Sequence, residues 1–420
     1  MLPRSALRRA RGLVAVAFGI GPSTGGAPIV SNNAALFRSH LWGQGRVWYE
    51  RTTGSHQLRR ASLKNVSHKL VATLTAVGLV GIIAAAASTA IAKPTARSAS
   101  IKACALLPDT TSSTRYTLFD APYLKAAFRK ARVAATVVNA HNDPQKQKSQ
   151  AQQCLAQGAK VILLDQLDPI TGASITNLAV SRHAKVIDYD RLVVHSKAAY
   201  YVSFQNPVVG KLQAKGLIAA LKARNKYSKH PVIAELNGDI KDNNAKLFKQ
   251  GYDSILHPLY KSGTFKLATA GDQWTEWSAT KARTIFDQML ARNANKIDAV
   301  LAANDGLAGA VVASLKAHGL KSIPLTGQDA TPTGVQFILA GWQSGTVYKS
   351  VRREANAAAA AAIAIVKGKK VPGVNGKVSG TKSILLTPVW VTKANYKLLF
   401  QEGFLKKSQV CNGDYAKYCK

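Results

Sequence analysis

The chain has 420 residues, of which 47% are hydrophobic and 19% charged, and a formal net charge of +36. That length leaves room for two lobes with separate cores, and that composition excludes intrinsic disorder. The charge suggests nucleic acid at first sight, but it is not concentrated anywhere: eleven of the 57 Lys+Arg and a single acid, Glu50, precede Lys93, and the other 46 bases and 20 acids are interspersed along the rest. With no basic helix or clustered tail, the expectation is a diffusely cationic, solvated surface and no nucleic-acid partner.

Residues 1–60 are Arg-rich, interrupted by Gly and Pro, and weakly periodic. They are expected to be an extension outside the working protein, with translation starting near Leu63 or Val66; peptides from 1–60 detected in cells would refute this. Gly19-x-Gly21 with Gly25 and Gly26 is a chance likeness to a dinucleotide loop, since Pro22 follows and no helix does. From Lys64 to Ala92 lysines lead into an apolar run that ends in Ala90-Ile91-Ala92. This is the order of a signal peptide, so 61–92 is expected to direct export. The alternative is an uncleaved anchor, because Leu70 to Ala92 is just long enough to span a bilayer.

After residue 98, short β-branched runs alternate with amphipathic stretches, the pattern of a parallel sheet with crossover helices and hence an α/β fold. Strands are predicted at Lys102–Leu107, Ala134–Val138, Lys160–Leu164, Lys185–Tyr189, Tyr200–Phe204, Val232–Leu236, Asp298–Ala303 and Ser322–Thr326. Helices are predicted at Pro144–Gln157, Val208–Lys222, Thr275–Arg292 and Gly306–His318.

In an open α/β sheet the ligand lies beyond the carboxyl ends of the strands. The predicted loops there contain Pro108 to Tyr116, Asp190-Arg191, Asp242-Asn243-Asn244, Asn304-Asp305 and Gln328-Asp329, with Trp274 and Trp277 close to one of them. Singly, each Asp or Asn reads as a helix cap or turn residue. Recurrence after five strands points to a sugar, whose hydroxyls both donate and accept and whose C–H face suits an aromatic ring.

Four cysteines in an exported chain favour disulfides. Cys411 with Cys419 is the first candidate pair; Cys104 with Cys154 is the second, against the alternative of two buried free thiols. No CxxC and no neighbouring histidines suggest zinc, and no metal or cofactor is expected. Walker A, G-x-S-x-G and H-E-x-x-H motifs are absent from the sequence, so no enzyme is expected. A glycoside-acting enzyme with Asp190 and Asp329 as paired carboxylates is the remaining catalytic reading.

Ser113-Thr114-Arg115-Tyr116, VIDYDRLV, YYVSFQNPVVGKLQAKGL, DNNAKLFKQGY, GDQWTEWSA, NKIDAVLAANDGLAGA, TGQDA and GTVYKS, spread over about residues 100–405, resemble the xylose-binding and multiple-sugar-binding proteins of the type I, ribose-binding-like periplasmic superfamily. The resemblance implies two Rossmann-like lobes joined by a three-crossing hinge. The boundaries expected are 99–206 plus 350–380 for the amino-terminal lobe, 207–349 plus 381–405 for the carboxy-terminal lobe, and 406–420 for a Cys-containing tail. It also implies ligand contacts from Arg115, Tyr116, Asp190, Arg191, Asp242, Asn243, Asn244, Trp277, Asn304, Asp329 and Lys349, with Trp274 behind them.

Two departures from the family pattern are Phe204-Gln205-Asn206, where a carboxylate is familiar, and the altered entry Leu236-Asn237-Gly238-Asp239-Ile240-Lys241. The implied function is a monomeric, exported binding protein that closes over a xylose-type aldose by hinge motion and hands it to an ABC transporter permease with its ATPase. A membrane is then met only through the transporter or an uncleaved anchor. A chemoreceptor co-ligand, or a binder of an autoinducer or polyol, is the alternative role on the same fold. A transcription regulator would need a helix-turn-helix where the export segment stands.

Overall fold

The computed structural model describes residues 100–419. They lie within one compact unit, Ser88–Lys420, which carries its own cores and is of a size to fold alone. The extension at 1–60 and the export segment at 61–92 lie outside the described residues. Among those described, no helix is long and apolar enough to cross a membrane.

The first lobe runs β1 (Ala103–Leu107), α1 (Ala121–Lys130), β2 (Ala135–Asn139), α2 (Pro144–Ala156), β3 (Val161–Leu164), α3 (Pro169–Ser181), β4 (Lys185–Tyr189) and β5 (Tyr200–Phe204). The second contains α4 (Asn206–Ala223), β6 (Val232–Asn237), α5 (Asn243–Lys261), β7 (Lys266–Trp274), α6 (Ala279–Arg292), β8 (Ala299–Ala302), α7 (Asp305–Ala317), α8 (Pro332–Ala340) and β9 (Thr346–Tyr348). The chain then returns through α9 (Val351–Val366), β10 (Gly376–Val378) and β11 (Thr381–Leu386), and crosses once more to β12 (Val389–Val391). One sheet has the order β10-β11-β5-β4-β3-β1-β2, all parallel except β10; the others are β7-β6-β8 and the antiparallel pair β12-β9. The links β5 to α4, β9 to α9 and β11 to β12 make the three-crossing connection.

The strand runs are almost continuously apolar because both faces of the first sheet are covered. Along β1, Ala103, Ala105 and Leu107 pack under α1 and α9, while Cys104 and Leu106 pack on α2 and α3. Helix α9 presents Ala355, Ala358, Ala359 and Ala362 to the sheet, small side chains that let it lie close. In the second lobe Gly210 of α4 and Gly251 of α5 form a notch where the helices touch backbone to backbone; a Cβ on Gly210 would sit 1.9 Å from the Phe248 carbonyl oxygen. Caps set the helix starts facing the cleft: Asp242 for α5, Ser278 for α6, Asn304 for α7 and Thr331 for α8 each accept a backbone N–H of the first turn.

Three sequence-based expectations are corrected and one strand is added. Residues 381–386, assigned to the second lobe, form β11 and pair in parallel with β5, so the last crossing follows Leu386; a six-residue strand carries no mark of which sheet it joins until its partner is known. Ser322–Thr326 is extended chain rather than a regular strand. It meets β8 through Val300 N–H to Pro324 O and Thr326 N–H to Val300 O, but Pro324 has no N–H with which to continue a ladder. Strand β7 was not anticipated: KLATAGDQW is rich in small residues, and its pairing with β6 shifts register between Ile233 and Glu235. The helix expected from Thr275 begins at Ala279, because Glu276 and Trp277 have positive φ (55° and 58°) and Ser278 is the cap.

Both candidate disulfides form, Cys104–Cys154 between β1 and α2 and Cys411–Cys419 in the tail. The tail packs through Val410 into a cluster with Phe119, Val335, Tyr348, Val391 and Phe404 beside the crossings.

Candidate functional site

The loops at the carboxyl ends of both parallel sheets converge on a tight cleft with only about 30 Å³ of free volume. The walls therefore stand close together. Arg115, Tyr116, Asp190, Arg191, Asp242, Asn244, Trp277, Asn304, Asp329 and Lys349 all line it.

Asp109, just after β1, accepts the N–H groups of Thr111 and Ser112 and the Ser112 hydroxyl, which fixes the loop. The following turn carries Arg115, whose guanidinium is gripped from behind: Nε and Nη2 donate to the two oxygens of Asp120 (3.0 and 2.7 Å), and Nη2 also donates to Glu354 at 2.5 Å. Its Nη1 makes no hydrogen bond and lies 3.4 Å from Asp190 on the cleft side. Tyr116 donates its hydroxyl to Asp190 (3.1 Å), and both arginine guanidiniums lie within 6 Å of its ring.

Asp190 directly follows β4 with φ of 58°, a left-handed conformation that Asp tolerates better than most residues. Arg191 donates to Ser112 Oγ (3.0 Å) and the Gln166 carbonyl (3.3 Å), and stands 3.6 to 3.7 Å from Asp109, Asp165 and Asp242.

From the second lobe, Asp242 caps α5 with one oxygen and accepts the Trp277 indole N–H with the other (3.1 Å). The indole lies over Gly238, where a Cβ would come within 2.2 Å of the ring. Thus the glycine in the altered entry loop makes room for the aromatic wall. Asn244 is shared between lobes: it accepts from Asn206 (2.7 Å) and the Tyr201 hydroxyl (3.0 Å), and donates to the Asp190 carbonyl (2.8 Å). Asn206, which follows the Gln205 that departs from the family pattern, is thus a neutral donor at the crossing. Asn304 caps α7 and reaches across to the Ser112 carbonyl (3.2 Å). Lys349 pairs with Asp329 (3.3 Å) and lies over the Phe204 and Phe248 rings.

The lining has three bases, Arg115, Arg191 and Lys349, and three acids, Asp190, Asp242 and Asp329. Behind it Asp109, Asp120, Asp165 and Glu354 add a surplus of buried carboxylates. Burial opposes ionisation throughout, and position decides which acids resist it. Asp190 is desolvated, yet Arg115, Lys349, Arg191 and the Tyr116 hydrogen bond bring it down to about 2. Burial pushes Asp165 well above the usual carboxylate range, with Asp190 adding to the rise. It also pushes Glu354 up to about 8 against the pull of Arg115. Asp190 thus faces the cleft as a fixed charge, while Asp165 and Glu354 behind it are driven toward the protonated form.

Two expected residues are not in the lining. Asn243 is the first residue of α5 and is not part of the cleft wall to which Asp242 and Asn244 belong. Trp274, at the end of β7, instead lines an outer groove with Lys246, Lys249 and His257. Four lining residues were absent from the expected set: Ser112, Ser113, Phe248 and Gln328. Ser112, Ser113 and Gln328 fall in loops already singled out, whereas Phe248, one helical turn beyond Asn244, reads in sequence only as core.

Two α/β lobes joined by three crossings, with a polar cleft between their strand ends, define a bilobed binding protein. Residues 104–370 match the family model described as "Periplasmic binding protein domain", and the chain belongs to that family of exported binding proteins. It is 34% identical over 280 residues to the D-xylose-binding periplasmic protein of Escherichia coli, covering 65% of this chain and 82% of the relative. It is 33% identical over 290 residues to a multiple sugar-binding periplasmic receptor of Rhizobium radiobacter (64% and 81%). Among solved structures, an ABC transporter solute-binding protein from Clostridium phytofermentans with bound β-D-glucose superposes with a TM-score of 0.68 at 27% identity, covering 74% of this chain and 100% of the other.

Proposed function

We propose that the cleft captures one neutral monosaccharide, an aldose of the xylose or glucose type, for delivery to an ABC transporter permease and its ATPase, and that it performs no chemistry on the sugar. The observation that carries this reading is the pairing, inside one closed cleft, of fixed planar donors and acceptors with an apolar wall. The polar set is Arg115, Asp190, Arg191, Asp242, Asn304, Asp329 and Lys349; the wall is Trp277, Tyr116 and Phe248. Vicinal hydroxyls match a carboxylate or guanidinium in bidentate fashion, and the C–H face of the ring matches an indole. Asp190 and Asp329 are tied to Arg115, Tyr116 and Lys349, an arrangement suited to holding hydroxyls rather than to exchanging protons with a glycosidic oxygen. The xylose-binding and glucose-bound relatives support the same ligand class.

The test is a thermal-shift screen of residues 93–420, which include every described residue, against aldoses, polyols and uronic acids. A ligand at 100 times its Kd stabilises the folded state by about 2.7 kcal/mol. Saturable shifts with one or a few neutral aldoses are expected, and calorimetry should then give micromolar affinity, about −8 kcal/mol. Folded, ligand-free protein that responds to none of them would overturn the proposal.

A further inference from the structure

A parallel sheet puts all its strand starts on one edge, opposite the cleft, and in the first lobe that edge is a rim of lysines. Lys102 precedes β1, Lys160 precedes β3 and Lys185 opens β4. Their backbones are joined in a row, Lys160 N–H to Lys102 O and Lys185 N–H to Lys160 O, both 2.9 Å, so neighbours stand roughly one strand spacing apart, about 4.8 Å. Lys197 before β5, Lys369 after α9 and Lys382 in β11 extend the row along the same edge. All six are exposed, and among the described residues none has an ion pair.

The segments that form this edge, 100–102, 129–135, 156–161, 181–186, 195–200 and 366–382, contain no Asp or Glu. Lys382 even faces Lys377 directly across the β10–β11 pair, an arrangement of like charges that costs stability. Between Lys185, Lys369 and Lys382 lies a shallow basin of about 670 Å³, with hydroxyls from Ser196, Tyr200 and Thr381 on its walls. The corresponding edge of the second lobe differs: there Asp298 sits among the lysines, pairs with Lys226 and accepts the Val232 N–H.

The chain also enters the lobe here. Ser100 leads into β1, and the preceding Lys93-Pro94-Thr95-Ala96-Arg97-Ser98-Ala99 adds two bases directly after the apolar run ending at Ala92. Seven extended residues reach at most about 25 Å. An apolar segment left in the bilayer would therefore keep this edge close to the lipid headgroups.

We infer that the lysine rim at the strand-start edge of the first lobe docks on an anionic phospholipid surface, its ammonium groups and basin hydroxyls meeting headgroup phosphates while the cleft faces away. This goes beyond contact with a membrane through a transporter or anchor alone, and it does not depend on which sugar the cleft takes.

The experiment is co-sedimentation of residues 93–420 with vesicles of phosphatidylcholine, and of equimolar phosphatidylcholine and phosphatidylglycerol, at low and physiological salt. Binding is expected only to the anionic vesicles and should weaken with salt. The combined variant Lys160→Glu, Lys185→Glu, Lys382→Glu should lose at least about 100-fold in vesicle affinity, since each lysine near an anionic surface is worth roughly fivefold. The same charge change on the second lobe, Lys229→Glu, Lys266→Glu, Lys296→Glu, should leave binding within about threefold of wild type. All six positions are exposed, so both variants are expected to keep the wild-type circular dichroism spectrum and to melt no lower than wild type, the rim variant slightly higher because Lys382→Glu relieves the like-charge pair with Lys377. Equal losses from the two variants would overturn the rim and leave only net charge as the cause. No vesicle binding, or binding to a soluble glycerol-phosphate polymer alone, would overturn the lipid assignment.

Discussion

Replacing Glu354 by glutamine tests the electrostatics behind the cleft. Glu354 is fully buried in the first turn of α9, and its Oε1 makes no hydrogen bond. Burial raises its carboxyl from 4.5 to about 8, against Arg115 and with help from Asp190 and Asp120. Between those values the folded chain holds a proton that the unfolded chain releases, so stability is fully present below pH 4.5 and falls as pH rises toward 8. Each tenfold change in proton affinity is worth about 1.4 kcal/mol, so at pH 7 the retained proton costs roughly 3 kcal/mol relative to pH 4.

Glutamine keeps the neutral shape without that cost. The gain from Glu354→Gln should be near zero at pH 4 and approach roughly 3 kcal/mol at pH 7, a rise in melting temperature of about 5 °C. The assay is thermal unfolding of both proteins, as residues 93–420, at unit steps from pH 4 to 7. Asp305, which burial pushes up to about 7, tilts both curves alike and drops out of the difference. A difference independent of pH, or a variant less stable at pH 7, would refute the reasoning and mean that Arg115 keeps Glu354 ionised.

Other substitutions address the cleft and the cross-links. Arg191→Ala removes the guanidinium that three carboxylates face and should weaken sugar binding by about 2 kcal/mol or more, some 30-fold, by calorimetry on protein shown to be folded; unchanged affinity would remove Arg191 from the site. Gly238→Ala should push the Trp277 indole out of place, costing at least about tenfold in affinity and shifting tryptophan emission. Wild-type emission and affinity together would show that the wall is not set by this contact. Cys104→Ala with Cys154→Ala opens a cross-link between residues 50 apart and should cost about 4 kcal/mol of stability, against roughly 2 to 3 for Cys411→Ala with Cys419→Ala, whose residues are 8 apart. Equal losses in non-reducing melts would count against the loop-entropy argument.

The alternation of apolar runs and amphipathic stretches was enough to read the parallel α/β class, because strands buried on both faces must be apolar throughout and their crossover helices must carry one apolar face. The loops after β1, β4, β6 and β8 were legible for a related reason: polar residues at strand ends are placed there by the fold's own geometry, and Arg115, Asp190, Arg191, Asp242 and Asn304 all stand in the cleft. Other features depended on partners remote in sequence. Whether Asn243 or Asn244 lines the cleft is a matter of helix phase, set when Asp242 caps α5 and Asn244 turns to the Asp190 carbonyl. Trp274 and Trp277 are three residues apart, and only the end of β7 and the positive φ at Trp277 send one to an outer groove and the other to the cleft. The assignment of 381–386 to the first sheet rests on its ladder with β5, and the protonated layer of Asp165 and Glu354 on charges brought together from four separate segments. Periodicity and residue type act locally and can be read along the chain; sheet membership, helix phase and coupled ionisation are properties of packed neighbours, and only the tertiary structure decides them.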